Sequence, residues 1–244
     1  PTNFGGSPTR TVSWVVDDGS ASNHASAAGT TTVSVAAVND APVVANAGNT
    51  VTFTENGAAV TVDSALAVSD VDSTNLASAT VTISGGFVTG DTLAATTTGT
   101  TITASYDAAN HRLNLTGADT VAHYQTVLAS VTYTTASHNP TNFGANPTRT
   151  VDWSVSDGAL SSATQSTTVV VAAVNDAPVV DLDGAGAGID VGPATFTAPT
   201  AVSIVAASAL TVTDIDNQSL AGATVTITNA QDGVNELLAV TTTG

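Results

Sequence analysis

The chain has 244 residues, with three Arg, no Lys, twenty Asp and Glu and no Cys, and its formal net charge is −17. Binding to nucleic acid needs a basic footprint that this chain lacks, and an anionic membrane surface would repel it. The missing Cys exclude disulfides, thiol catalysis and Cys-ligated zinc, and no apolar run reaches the roughly eighteen residues of a membrane-spanning helix.

In chain order, the first segment is PTNFGGSPTRTVSW (residues 1–14), which recurs as PTNFGANPTRTVDW (residues 140–153) with eleven of fourteen positions identical. VAAVNDAPVV follows at residues 35–44 and returns unchanged at 171–180, a spacing of 136. SDVDSTNLASATVTI (residues 69–83) returns as TDIDNQSLAGATVTI (residues 213–227), a spacing of 144. The repeats therefore break at VNDAPVV. Residues 1–43 read as the closing part of one unit, 44–177 as a complete unit, and 178–244 as the opening part of the next. A period near 140 is the size of a whole domain. The chain holds no Met, even at position 1, and reads as an internal piece of a longer exported protein.

Within residues 44–177 the predicted strands are TVTF, AVTV, ATVTI, TTITASY, RLNLT, ASVTYTT, RTVDWSV and STTVVVAAV. They are short Val/Thr/Ile runs separated by Gly, Asn, Asp and Pro, the pattern of an all-β sandwich. One stretch has a helical period. Val121, Tyr124, Val127 and Leu128 fall on one face, with Asp119 or Thr120 placed to cap. Asp157-Gly158 and Asp18-Gly19 mark hairpin turns. Trp14 and Trp153 lie mid-strand and are expected in cores. Arg10 and Arg149 are expected to pair with carboxylates. His24, His111, His123 and His138 are isolated from one another and offer no zinc site.

The acidic residues gather at the unit boundaries: Asn39-Asp40, Glu55-Asn56, Asp70 with Asp72, Asp157, Asn175-Asp176, and Asp214 with Asp216. Residues i and i+2 of a strand share a face, so each Asp-x-Asp aims two like charges the same way. Hard divalent cations prefer such oxygen ligands, and calcium takes roughly six to eight of them. No GxSxG, HExxH, P-loop or GxGxxG motif is present, and the carboxylates sit at repeat boundaries rather than in one cleft, so no enzymatic activity is expected.

VNDAPVV resembles the Asp/Asn-rich linker of cadherins. Asp70-Val71-Asp72 resembles their Asp-x-Asp loop, Ser156-Asp157-Gly158 their Asp-x-x-Gly element, and Glu55 the glutamate at the far end of their first strand. The combination of a short helix, a SVTYT strand, a DG turn and a VNDAP ending is similar to the repeats of giant bacterial adhesins exported by type I secretion. The resemblance implies tandem immunoglobulin/cadherin-like Greek-key β-sandwich repeats with one short helix each. It implies Ca2+ at two junctions, one using Asn39, Asp40, Asp70, Asp72 and Asp157, the other Glu55, Asn175, Asp176, Asp214 and Asp216. No counterpart of the cadherin Leu-Asp-Arg-Glu element is present, and Ala198 stands where the last unit would carry its glutamate, so about one or two ions per junction are expected. The implied role is a calcium-rigidified structural or adhesive repeat on the bacterial cell surface or secreted outside it. A calcium-dependent polysaccharide-binding module is the alternative. The implied partners are neighbouring repeats, a cell-surface polysaccharide, or another copy of the adhesin, with no insertion into a membrane.

Overall fold

A computed structural model describes residues 4, 6–182, 184, 194–205 and 210–240. The chain falls into two units, Pro1–Val174 and Asn175–Gly244.

In the first unit the strands are β1 (Thr9–Trp14), β2 (Gly29–Ser34), β3 (Val43–Ala45), β4 (Thr50–Thr54), β5 (Val60–Thr61), β6 (Ala67–Ser69), β7 (Asn75–Gly85), β8 (Asp91–Ala94), β9 (Thr103–Asp107) and β10 (Arg112–Thr120). A helix, α1 (Val121–Ala129), comes next, followed by β11 (Thr132–Thr135), β12 (Thr148–Ser156) and β13 (Gln165–Ala172). The second unit contains β14 (Val179–Asp181) and β15 (Thr211–Thr213). Among the described residues the molecule is thus mostly β with one short α-helix, as the alternating Val/Thr runs lead one to expect.

Apart from β6, which pairs with β3, the strands from β4 to β13 form a six-stranded sheet ordered β4-β13-β12-β7-β10-β9 and a three-stranded sheet ordered β5-β11-β8. Every pairing in them is antiparallel except β13 with β4. The period of two sorts the side chains. On β12, Val151, Trp153 and Val155 are buried, and the residues between them are not. On β7, Ala79, Val81 and Ile83 do the same, with Val81 opposite Trp153. These faces join Leu93 and Tyr133 of the smaller sheet, and Val131 just before β11, in one core. Phe53 of β4 meets Tyr133 of β11 edge to face, with ring centroids 5.4 Å apart, the arrangement aromatic quadrupoles favour.

The helix starts where the sequence places it. Thr120 caps it by accepting the His123 N–H, and Tyr124, Val127 and Leu128 are buried. The register of β10 slips between Thr116 and Asp119. At this bulge Gly117 has φ +121°, and a Cβ there would lie 2.6 Å from the Thr101 carbonyl oxygen. The Tyr124 hydroxyl donates to the Gly117 carbonyl at 2.7 Å, tying the helix to the bulge.

Arg149 is fully buried and pairs with buried Asp91, whose Oδ1 also accepts the Tyr133 hydroxyl at 2.7 Å. Desolvation, reinforced by the bond to Asp91, pushes the Tyr133 phenol far above its ordinary pKa. For Arg149 the expected carboxylate partner is therefore found, with both side chains fully buried. Trp153 is also buried as expected, and its Nε1 donates to Thr167. Trp14 is different. It is 63% exposed; among the described residues β1 and β2 form a two-stranded sheet that no further strand joins.

A candidate divalent-cation site

The linker 38–42 runs into β3, and β3 pairs with β6. That pairing brings Asn39 and Asp40 beside the Asp70–Asp72 loop that follows β6. The loop is built by its own carboxylate: Asp70 Oδ1 accepts the backbone N–H of Asp72 at 3.0 Å and of Ser73 at 2.7 Å. Asp72 Oδ2 accepts the Asp40 N–H at 3.2 Å. The third component is the turn after β12. Asp157 Oδ1 accepts the N–H groups of Ala159 and Leu160, both at 2.7 Å, and its Oδ2 accepts from Asn39 Nδ2 at 2.8 Å. These donations, that of Leu160 foremost, hold the Asp157 carboxyl below the usual carboxylate range. Asn39, Asp40, Asp70, Asp72 and Asp157 thus form one hydrogen-bonded chain drawn from three separate segments.

Each aspartate of the Asp-x-Asp pair has one oxygen committed and one idle. Asp70 Oδ2 and Asp72 Oδ1 are buried and have no hydrogen-bond partner. Buried polar groups are nearly always paired, and leaving one unpaired costs about 1–3 kcal/mol, more when it is charged. Two such oxygens on one loop are what a divalent ion would satisfy. Among the described residues, Asp40, Asp70, Asp72 and Asp157 do not bring three carboxylate oxygens within 4.8 Å of one another. Their mutual repulsion opposes a closer approach. The donor set is all oxygen, and it fits calcium or magnesium rather than a softer metal.

The second unit repeats the local design. Asp214 Oδ1 accepts from the N–H groups of Asp216 and Asn217, Asp216 Oδ2 accepts the Asp176 N–H at 3.0 Å, and Asn175 Nδ2 donates to the Asp176 carbonyl. Burial works against the charge on Asp214, but bonds from Asp216 and Asn217 outweigh it and keep the pKa low. Asn217 adds a contact absent from the sequence reading, since its Nδ2 donates to Asn175 Oδ1 at 2.9 Å. Its position directly after Asp-x-Asp was the available signal.

Glu55 lies apart from the first cluster, at the other end of β13. Because β4 runs parallel to β13, the residue after β4 reaches the residues after β13. Glu55 is 3% exposed, its Oε2 accepts the Val174 N–H at 2.8 Å, and its Oε1 is buried without a partner. A ring nitrogen of exposed His138 comes within 4.8 Å of a Glu55 oxygen. Nothing in the sequence ties position 138 to position 55, and an isolated His carries no spacing signal.

No protein-family model and no curated protein matches this chain. Among the described residues no helix is long and apolar enough to cross a membrane.

Proposed function

We propose that this chain is a stretch of tandem cadherin-like, immunoglobulin-type Greek-key repeats whose junctions hold Ca2+, and that the ion fixes each linker to the body that follows it. The supporting observation is the pair of buried, partnerless oxygens Asp70 Oδ2 and Asp72 Oδ1, on a loop already hydrogen-bonded to the linker. Asp70 and Asp72 would supply these oxygens, with Asp40, Asp157 and the Asn39 side-chain carbonyl completing the set. A bound ion would supply positive charge, offsetting the repulsion within the cluster. Asp70 holds its own loop in shape, Asp72 anchors the linker at Asp40, and Asp157 anchors it at Asn39. The linker is thus preformed, and binding to the ordered arrangement would stabilise it by mass action.

Sites of extracellular modules work at roughly 10⁻⁴ to 10⁻³ M calcium, so such a linker would stiffen only outside the cell. The reading is that of a structural or adhesive element of a large secreted or surface-bound bacterial adhesin, without catalytic activity. Small-angle scattering in calcium and in chelator tests it, with a longer maximum dimension in calcium as the expected result and identical curves as the contrary one.

Polysaccharide recognition has less behind it. A shallow recess of about 210 Å³ on the outer face of the large sheet is lined by Thr80, Thr82, Asp152, Trp153, Ser154 and Thr164. It offers hydroxyls, but Trp153 is 1% exposed and its ring nitrogen is bonded to buried Thr167, so its ring is not presented for stacking on a sugar.

A further inference from the structure

The Glu55 carboxylate, just past β4, is held in one place by the backbone around it. Thr54 to Gly57 form a turn closed by the Gly57 N–H, which donates to the Thr54 carbonyl at 2.9 Å, with Asn56 in the left-handed region at φ +60°. A Cβ on residue 57 would lie 2.7 Å from that carbonyl oxygen, so the turn requires glycine there. The Glu55 N–H donates to the Ala172 carbonyl at 2.9 Å, and Oε2 accepts the Val174 N–H at 2.8 Å. Main chain and one carboxylate oxygen are thus fixed to the end of β13. The other oxygen, Oε1, is buried without a hydrogen-bond partner. A buried carboxylate oxygen left unpaired is costly, and a cation would remove that cost.

His138 is the second donor. It lies on the loop from β11 to β12, and one of its ring nitrogens is within 4.8 Å of a Glu55 carboxylate oxygen. One ion can bridge the two after a small rotation of the exposed ring. The loop is anchored on both sides of His138. Before it, the Ala136 N–H donates to the Gly90 carbonyl at 3.2 Å and the Ser137 N–H to the Thr135 hydroxyl at 3.2 Å. After it, the Asn139 N–H donates to the Ser137 hydroxyl at 3.1 Å, and buried Arg149 donates to the Pro140 carbonyl. Supports of this kind preorganise a ligand for its ion. His138 is exposed while Glu55 is buried, so an ion has access from solvent to an otherwise enclosed carboxylate.

We propose that Glu55 and His138 bind a divalent transition metal of the Zn2+ class. The donors differ in kind from those of the Asp70–Asp72 cluster, which are all oxygen and suit calcium or magnesium. An imidazole nitrogen beside a carboxylate suits zinc, copper or nickel instead. Glu55 Oε1 supplies negative charge to the ion, Oε2 stays on the Val174 N–H, and a neutral His138 supplies the nitrogen. Water fills the positions that these two side chains leave open, as it does in zinc sites with an incomplete protein set. The proposal deepens the reading of Glu55 as a cation ligand by naming a second ligand and a different ion. It holds or fails separately from calcium binding at Asp70 and Asp72.

The test titrates Zn2+ alone into the full chain by calorimetry, without calcium, beside His138→Ala, Glu55→Gln and His24→Ala. The wild type should take up Zn2+. His138→Ala and Glu55→Gln should each remove the tightest part of that uptake, and His24→Ala should leave it. The exposed position of His138 means that His138→Ala should keep the circular dichroism spectrum of the wild type. It should also keep the wild-type uptake of calcium, which separates loss of an imidazole ligand from damage to the oxygen clusters. Co2+ gives a second readout, since its visible absorption should grow on binding to the wild type and much less on binding to His138→Ala. A wild type that takes up no Zn2+, or a His138→Ala variant that binds it as tightly and in the same amount, would overturn the proposal. A chain that binds Zn2+ through His138 but takes up no calcium would support it and remove the calcium reading.

Discussion

Asn39 and Asp157 are 118 residues apart and joined by a 2.8 Å hydrogen bond from Nδ2 to Oδ2. The bond ties the segment 38–42 before β3 to the turn between β12 and β13. Asp157→Ala removes it together with the two turn bonds to Ala159 and Leu160. Both residues are near the surface, so global stability should fall by only about 1 kcal/mol. The linker amides around residues 38–41 should lose hydrogen-exchange protection much more than the strand amides of β12. Equal loss in both places would mean that the bond does not hold the linker.

The Asp91–Arg149 pair makes a larger prediction. Both side chains are fully buried, so Asp91→Ala leaves a guanidinium in the core with its main partner gone. The expected cost is about 3–5 kcal/mol, read by denaturant unfolding. Replacing both residues with apolar side chains of similar volume should cost far less, because the desolvation penalty then disappears with the pair.

The two tryptophans give an internal control. Trp153→Ala empties a packed site between two sheets and should destabilise the first unit by about 3–5 kcal/mol. Trp14→Ala removes a mostly exposed ring and should change stability by about 0.5 kcal/mol or less. The same residue in the same local sequence would then differ in effect by what packs on it.

Much of this fold was legible because its signals were local. Alternating Val and Thr specified the faces of β7 and β12, and the i, i+3, i+7 spacing with Thr120 specified the helix. The NDAP and Asp-x-Asp motifs pointed to residues that the structure links through Asp40, Asp72, Asn39 and Asp157. Other features rest on contacts distant in sequence. Asp91 as the partner of Arg149 depends on β8 and β12 lying in facing sheets. The nearness of His138 to Glu55 depends on where two loops end. The exposure of Trp14 could not be read from its motif, because PTRTVSW and PTRTVDW carry the same pattern and differ only in their neighbours. Residues 219–227 repeat the pattern of β7 without its ladder, since a strand needs a partner as well as a propensity.

Acid should loosen specific points. Asp119 is held well below the ordinary carboxylate range, first by the Thr101 N–H and then by those of Thr120 and the His123 ring. Asp157 is held low by Leu160, Asn39 and Ala159. A carboxyl with a folded pKa below its unfolded value of about 3.9 contributes stability that is complete above that value. The contribution is lost as pH falls through the folded pKa. Stability should therefore be flat near neutrality and drop below about pH 4. Asp119→Asn should flatten part of that drop in a pH series of thermal melts, and an unchanged acid profile would show that Asp119 does not contribute.

Calorimetric titration of calcium into the full chain tests the central claim most directly, with the wild type beside Asp70→Ala, Asp72→Ala. The wild type should take up calcium in the roughly 10⁻⁴ to 10⁻³ M range. The double variant should lose part of that uptake and keep the share belonging to Asp214 and Asp216. No uptake by the wild type, or the same uptake by both proteins, would contradict the account.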